Sequence, residues 1–233
     1  MEIHPYLKTS GINTQLNLSV EEIQTGEYKD GGIWFPNTRV IVCGTFPPRK
    51  EYFNRKGYIH YSSSKNKFWQ HIDSIYNLNL YASKKISDKT DLRIANSLEK
   101  IRFLKDKKIG FIDVFTKISR KDPNSWKDAD IIEPYETFFD EQIFQNIISS
   151  SVENIVFVYS KSYEVFVKYL RLKFDDILIF EIREYNKDNI PLRVESFNIN
   201  NKTFYLSYSP IHGNIEDIFR RPALKKAIEN DFT

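Results

Sequence analysis

The sequence predicts an α/β fold whose parallel sheet is covered by helices on both faces. Two observations carry that expectation. Short, β-branched, continuously apolar runs such as "RVIVCG" (39–44) read as strands buried on both sides. Between them lie segments whose apolar residues recur at helical spacing, and alternation of strand with helix argues for parallel pairing.

In chain order, residues 1–38 are polar and turn-rich, with "KDGG" and "FPN" as breakers. They read as an N-terminal extension packed on a single domain that spans 1–233. "RVIVCG" comes next as the first strand, then a long loop, "GTFPPRKEYFNRKGYIHYSSSKN". From Phe68 the pattern is helical: Phe68, Ile72, Ile75 and Tyr76 share a face, with Trp69 beside them. A second helix is expected over "LRIANSLEKIRFLKDK" and a second strand in "KIGFIDVF" (108–115). "IEPYETFFDEQIFQNIISS" has helical period, "ENIVFVYS" (153–160) is the third strand, and "YEVFVKYLRLKF" the next helix. "ILIFEIRE" and "KTFYLSYS" read as two further strands. The last element, "NIEDIFRRPALKKAIEN", reads as a helix broken at Pro222.

Composition narrows the function. At 41% hydrophobic and 15% aromatic residues, the chain can bury a sizeable core. A net charge of +3 is compatible with a polyanionic partner without pointing to one. The single cysteine, Cys43, allows neither an intramolecular disulfide nor a cysteine-based zinc site. His4, His60, His71 and His212 have no metal-ligand spacing, so no metal or other cofactor is expected. "MEIHPYLKTS" does not resemble a signal peptide, and no apolar run approaches bilayer length; a cytoplasmic monomer is the expectation.

In such a sheet, ligands bind beyond the carboxyl ends of the strands. Three loops there are rich in Gly, Pro, Ser, Asn or His: those after "VIVCG", "GFIDVF" and "FYLSYS". Gly44 permits a sharp turn or a close approach, and Pro47 and Pro48 stiffen the rest of that loop. Neither a Walker loop nor GxGxxG occurs. Asn66 is placed to cap the helix that starts at Phe68; its amide, which donates and accepts, is equally suited to a water or a base edge. Tyr61 reads either as a half-buried loop aromatic or as a stacking platform. Ser62, Ser63, Ser64 and Lys65 read as turn residues or as phosphate contacts. In "SYSPIHGN", small hydroxyls and a proline suit a phosphate or sugar, and His212 is a candidate donor. Arg220, Arg221, Lys225 and Lys226 form a basic cluster that is either a solvated face or a phosphate contact.

Together these loops resemble the uracil-DNA glycosylase superfamily, nearest its mismatch-specific and hypoxanthine-DNA glycosylase branches. The likeness runs from about Arg39 to Asn214. "VIVCGTFP" is similar to the family's strand and Gly-x-x-Pro loop, and "YIHYSSSKNKFW" to the stretch ending in Asn-x-Phe-Trp. "IGFIDVF" resembles the Gly-Leu-x-Asp-Val strand, and "LSYSPIHGN" the last Ser-Pro loop. The resemblance implies a three-layer α/β/α sandwich around a short, mainly parallel central sheet. It implies a monofunctional DNA glycosylase that hydrolyses the N-glycosidic bond of a deaminated or damaged base. Asn66 and Thr45 would be catalytic; Gly44, Phe46, Pro47, Tyr61 and Asp113 would meet the base. Arg49, Ser63, Ser64, Lys65, Ser209 and Pro210 would hold DNA, and Ile211 or His212 would reach into the duplex.

The chain departs from the family in its first motif, where Thr45-Phe46 stand in place of an Asp, Asn or Glu. Ser63 and Ser64 replace a usual His-Pro, and Tyr208 intrudes in the last loop. Two alternatives stay open: a catalytically inactive nucleic-acid-binding member of the fold, or an α/β enzyme acting on a free nucleotide. The preferred base is not legible.

Overall fold

The computed structural model describes residues 2–3, 32–33, 35–45, 61, 66–80, 90–122, 124–125, 127–132, 141–173, 179–184, 191–199, 202–211 and 216–232. Among these, nine strands occur: β1 (Glu2–Ile3), β2 (Gly32–Ile33), β3 (Val40–Gly44), β4 (Ile109–Asp113), β5 (Lys117–Ile118), β6 (Asn154–Phe157), β7 (Ile179–Glu184), β8 (Arg193–Ile199) and β9 (Lys202–Tyr208). The α-helices are α1 (Phe68–Tyr76), α2 (Thr90–Lys107), α3 (Glu141–Ile148), α4 (Ser160–Lys173) and α5 (Asp217–Glu229).

The main sheet runs β2-β4-β3-β6-β9-β8-β7, and β1 pairs with β5 separately. Its four middle strands, β4, β3, β6 and β9, are parallel. The flanks are antiparallel: β2 on β4 at one edge, β8 on β9 and β7 on β8 at the other. The sheet is therefore mixed, with parallel pairing confined to the centre. Burial gives the reason. Val40 to Cys43 are all buried, with Val40 and Val42 facing one apolar cluster and Ile41 and Cys43 the other. A strand apolar on both faces needs helices on both, which parallel crossovers supply.

One cluster packs Phe68, Trp69 and Ile72 of α1 and Ala223, Leu224 and Ala227 of α5 against Val42, Phe111 and Val156. The other packs Phe144 of α3 and Phe166 and Leu170 of α4 against Ile41, Ile155 and Leu206. Asn154 bridges layers from inside: its Nδ2 donates to the Ala227 carbonyl at 2.8 Å, and its Oδ1 accepts from Ser207 Oγ at 2.9 Å.

Several details differ from the sequence reading. Three of the main sheet's six pairings are antiparallel, where a mainly parallel sheet was expected. Strand β2, within the residues read as an N-terminal extension, joins the main sheet at its edge, and β1 and β5 were not expected. The "RVESFNI" strand, β8, went unread because Arg193, Glu195 and Asn198 dilute its pattern; yet Val194, Phe197 and Ile199 are buried. It pairs antiparallel with β9 up to Ile199↔Lys202, and the two asparagines between those residues in the sequence are a turn signal. Helix α5 also runs unbroken through Pro222. The carbonyl that the proline leaves without its helical donor belongs to Ile218, a residue 66% exposed, so water can satisfy it.

Candidate functional site at the strand ends

Register brings the carboxyl ends of the four parallel strands level: Gly44 pairs with Asp113, Cys43 with Phe157, and Phe157 with Tyr208. Four exit segments, distant in sequence, therefore adjoin there. The first two continue side by side past the strands, as Val114 N–H donates to the Gly44 carbonyl at 2.9 Å and Phe115 N–H to Thr45's at 3.2 Å.

Gly44 is a position that admits no side chain without displacement. A Cβ there would stand 2.1 Å from Asp113 Oδ1 and 2.9 Å from the Tyr61 hydroxyl. The Asp113 carboxyl, almost wholly buried, thus lies directly over the first loop. Thr45 is buried beside it, and its hydroxyl finds no hydrogen-bond partner among the described residues. Such an orphan is costly unless a ligand or water completes it.

Tyr61 adopts φ 60°, the left-handed region that bulky residues avoid. Strain of this kind is held by surrounding contacts and clusters at functional sites. Its half-buried ring packs 5.0 Å from Phe68, 5.4 Å from Phe111 and 6.2 Å from Tyr159, centroid to centroid.

Asn66 does cap α1. Its Oδ1 accepts from Phe68 N–H at 2.9 Å, and Lys67 already has helical φ and ψ. Its Nδ2 donates to the Tyr159 hydroxyl at 2.7 Å. Tyr159, two residues beyond β6, was absent from the sequence reading, which weighed three strand-exit loops although four parallel strands have four. The strand order puts β6 between β3 and β9, so its exit belongs to the same edge.

The third loop requires correction. Ile211, expected to reach into a duplex, is 0% exposed and packs in the core under α1 and α5. Ser209, expected to grip a DNA backbone, is also 0% exposed; its N–H donates to the Phe157 carbonyl at 2.9 Å. Its hydroxyl, like that of Thr45, has no partner among the described residues. Pro210 is half-buried. Arg220 leaves the basic cluster altogether: it is buried, and its Nη1 donates to the Ile211 carbonyl at 2.9 Å. Arg221 and Lys225 are exposed. Phe46, Pro47, Arg49, Ser63, Ser64, Lys65 and His212 lie outside the described residues.

Charge around the site is directional. Burial pushes the Cys43 thiol well above its ordinary pKa, and the Asp113 charge adds to this, so Cys43 stays protonated and is no nucleophile. His71, buried in α1, is lowered by burial against the pull of Asp217 and with the push of Arg221 and Arg220. Asp217 lies 3.4 Å from Lys67. Burial would raise its carboxyl, but the Lys67 hydrogen bond and the charges of His71, Lys67 and Arg220 hold it below its ordinary value. Among the described residues no three His, Cys, Asp or Glu side chains are grouped to hold a metal ion, and no helix is long and apolar enough to cross a membrane.

No family model matches the chain, and no curated protein matches it.

Proposed function

We propose that this chain is a DNA glycosylase, hydrolysing the N-glycosidic bond of a deaminated or damaged base turned out of DNA. The single observation that carries the reading is the meeting of Gly44, Thr45, Asp113, Tyr61 and Asn66 at one edge of the sheet. In this reading the helix layers and sheet form the three-layer sandwich of the uracil-DNA glycosylase superfamily.

Extrusion exposes the sugar carbon that must react, at a cost of a few kcal/mol that a mispaired base reduces. The strained Tyr61 then offers its face to the base, a contact tolerant of base identity. As the bond breaks, positive charge develops on the sugar and negative charge on the departing base. The Asn66 amide donates to the base, where a preorganised donor counts most. The Thr45 hydroxyl, buried and without a partner among the described residues, holds the attacking water. Asp113 supplies, from the neighbouring strand, the carboxylate that Thr45-Phe46 lack: lying over Gly44, it is placed to favour the cationic sugar. No step in this scheme needs a cofactor.

A second reading draws on the burial of Ser209 and Ile211, which removes two expected DNA contacts. An α/β enzyme closed around a free nucleotide would have no use for them.

The deciding assay uses labelled single- and double-stranded oligonucleotides carrying one uracil, hypoxanthine or xanthine, with alkali to reveal abasic sites. Cleavage lost in Asn66→Ala supports the glycosylase and names its base. Salt-sensitive DNA binding without cleavage assigns a binding module instead, and neither binding nor cleavage favours the nucleotide enzyme.

A further inference from the structure

Asn66 has two conceivable uses, holding water through its oxygen or donating through its nitrogen, and its hydrogen bonds decide between them. Phe68 N–H is a pure donor, so the atom that meets it at 2.9 Å must be the carboxamide oxygen. That fixes the flip of the amide. Its nitrogen must then be the atom facing the Tyr159 hydroxyl at 2.7 Å, which accepts from it. The oxygen is committed to the N-terminus of a nine-residue helix, whose unpaired N–H groups and partial positive charge draw on its electron density and make it a poor base for water. One amide proton is held by Tyr159, and the second meets no partner among the described residues. That proton is what Asn66 has to give a ligand.

We infer that Tyr159 is a positioning residue, whose hydroxyl holds the Asn66 carboxamide in one orientation so that Asn66 meets its ligand only as an N–H donor. The chemistry this selects is an acceptor on the ligand, a carbonyl oxygen or an unprotonated ring nitrogen; an exocyclic amino group at that point would set donor against donor. The inference rests on the glycosylase reading for the identity of the ligand, a 6-oxopurine or a pyrimidine with a free carbonyl, but not for the hold of Tyr159 on Asn66. Tyr159 is itself fixed nearby: Ser162 Oγ donates to its backbone carbonyl at 2.9 Å, and its ring packs against Tyr61.

Three variants of the full chain separate the outcomes. Asn66→Asp keeps an oxygen for Phe68 N–H, so the helix cap and the fold survive, but nothing remains to donate. Tyr159→Phe keeps the ring and removes only the hydroxyl. Asn66→Ala loses cap and donor together. The first readout needs no substrate: hydrogen exchange of the Asn66 side-chain amide followed by NMR. One protected proton in the wild type, lost in Tyr159→Phe with backbone signals elsewhere unchanged, is the expected result. Rapid exchange of both protons in the wild type would overturn the inference. The second readout is cleavage of the oligonucleotide carrying the preferred base. Tyr159→Phe should lower kcat about ten- to a hundredfold while KM stays within about twofold, the size expected of a misplaced donor. Asn66→Asp should be as inactive as Asn66→Ala, yet as stable as wild type. If Asn66→Asp instead cleaves as well as wild type, Asn66 works as an acceptor and the inference fails. A wild type inert on every base, with the protected proton present, sinks the glycosylase reading and leaves the positioning role standing.

Discussion

Asp113 and Gly44 share one space: the Asp113 Oδ1 lies 2.1 Å from where a Cβ on Gly44 would be. Two strands paired in parallel at their last residues, one ending in glycine and the other in aspartate, thereby place a carboxyl over the first exit loop. Gly44→Ala must drive Asp113 aside, and we expect the proposed glycosylase activity to fall at least about tenfold while urea denaturation records a loss of roughly 1–3 kcal/mol, the usual cost of overpacking. In the Asp113→Ala background the same substitution should cost markedly less stability. An equal cost in both backgrounds would mean that the clash lies elsewhere.

Arg220 holds the loop after β9 rather than a phosphate. Its Nη1 bonds the Ile211 carbonyl, and the residue is 1% exposed. Arg220→Ala leaves that carbonyl buried and removes the packed stem, so a destabilisation of about 2–4 kcal/mol is expected in urea melts. Arg221→Ala, at an exposed neighbour, should stay within about 0.5 kcal/mol of wild type. DNA binding lost in Arg220→Ala while its melting curve matched wild type would contradict this account.

Lys100 makes stability depend on pH above neutrality. Its ammonium is buried against the Trp69 ring, 4.9 Å from the centroid. Burial lowers its pKa to about 7 although Asp73 opposes the shift. The unfolded lysine titrates at 10.5, so between about 7 and 10.5 the unfolded chain binds a proton that the native one does not. Stability should therefore rise with pH across that window, by roughly 3–5 kcal/mol if the shift is fully expressed. Below about 7 both states are protonated and the contribution is constant. Lys100→Met should flatten the rise when chemical melts of the two proteins are compared from pH 6 to 10. Parallel curves would show that the ammonium is solvated.

Local pattern was sufficient wherever burial is written along one element. The run Val40-Ile41-Val42-Cys43 announces a strand buried on both faces, and Asn66 before Phe68-Trp69 announces a capped helix; the structure has both. The same reasoning missed β8, because its apolar residues are interrupted by Arg193 and by Glu195, a charged residue that is buried, and so show no clean period. It also misjudged Ile211, an apolar residue in a polar-looking loop, because its burial needs α1, remote in sequence, as well as α5, the element that follows it.

What the sequence by itself determined was the principal helices, the strands buried on both faces, and the presence of a glycine, a tyrosine and an asparagine in the loops that adjoin a sheet edge. Only the tertiary structure decided what those residues meet. Asn66 finds Tyr159 across 93 residues, and Asp113 reaches Gly44 through strand register. Periodicity reports which side of a segment is buried; which segments become neighbours depends on pairing free energies between distant strands, summed over the whole chain.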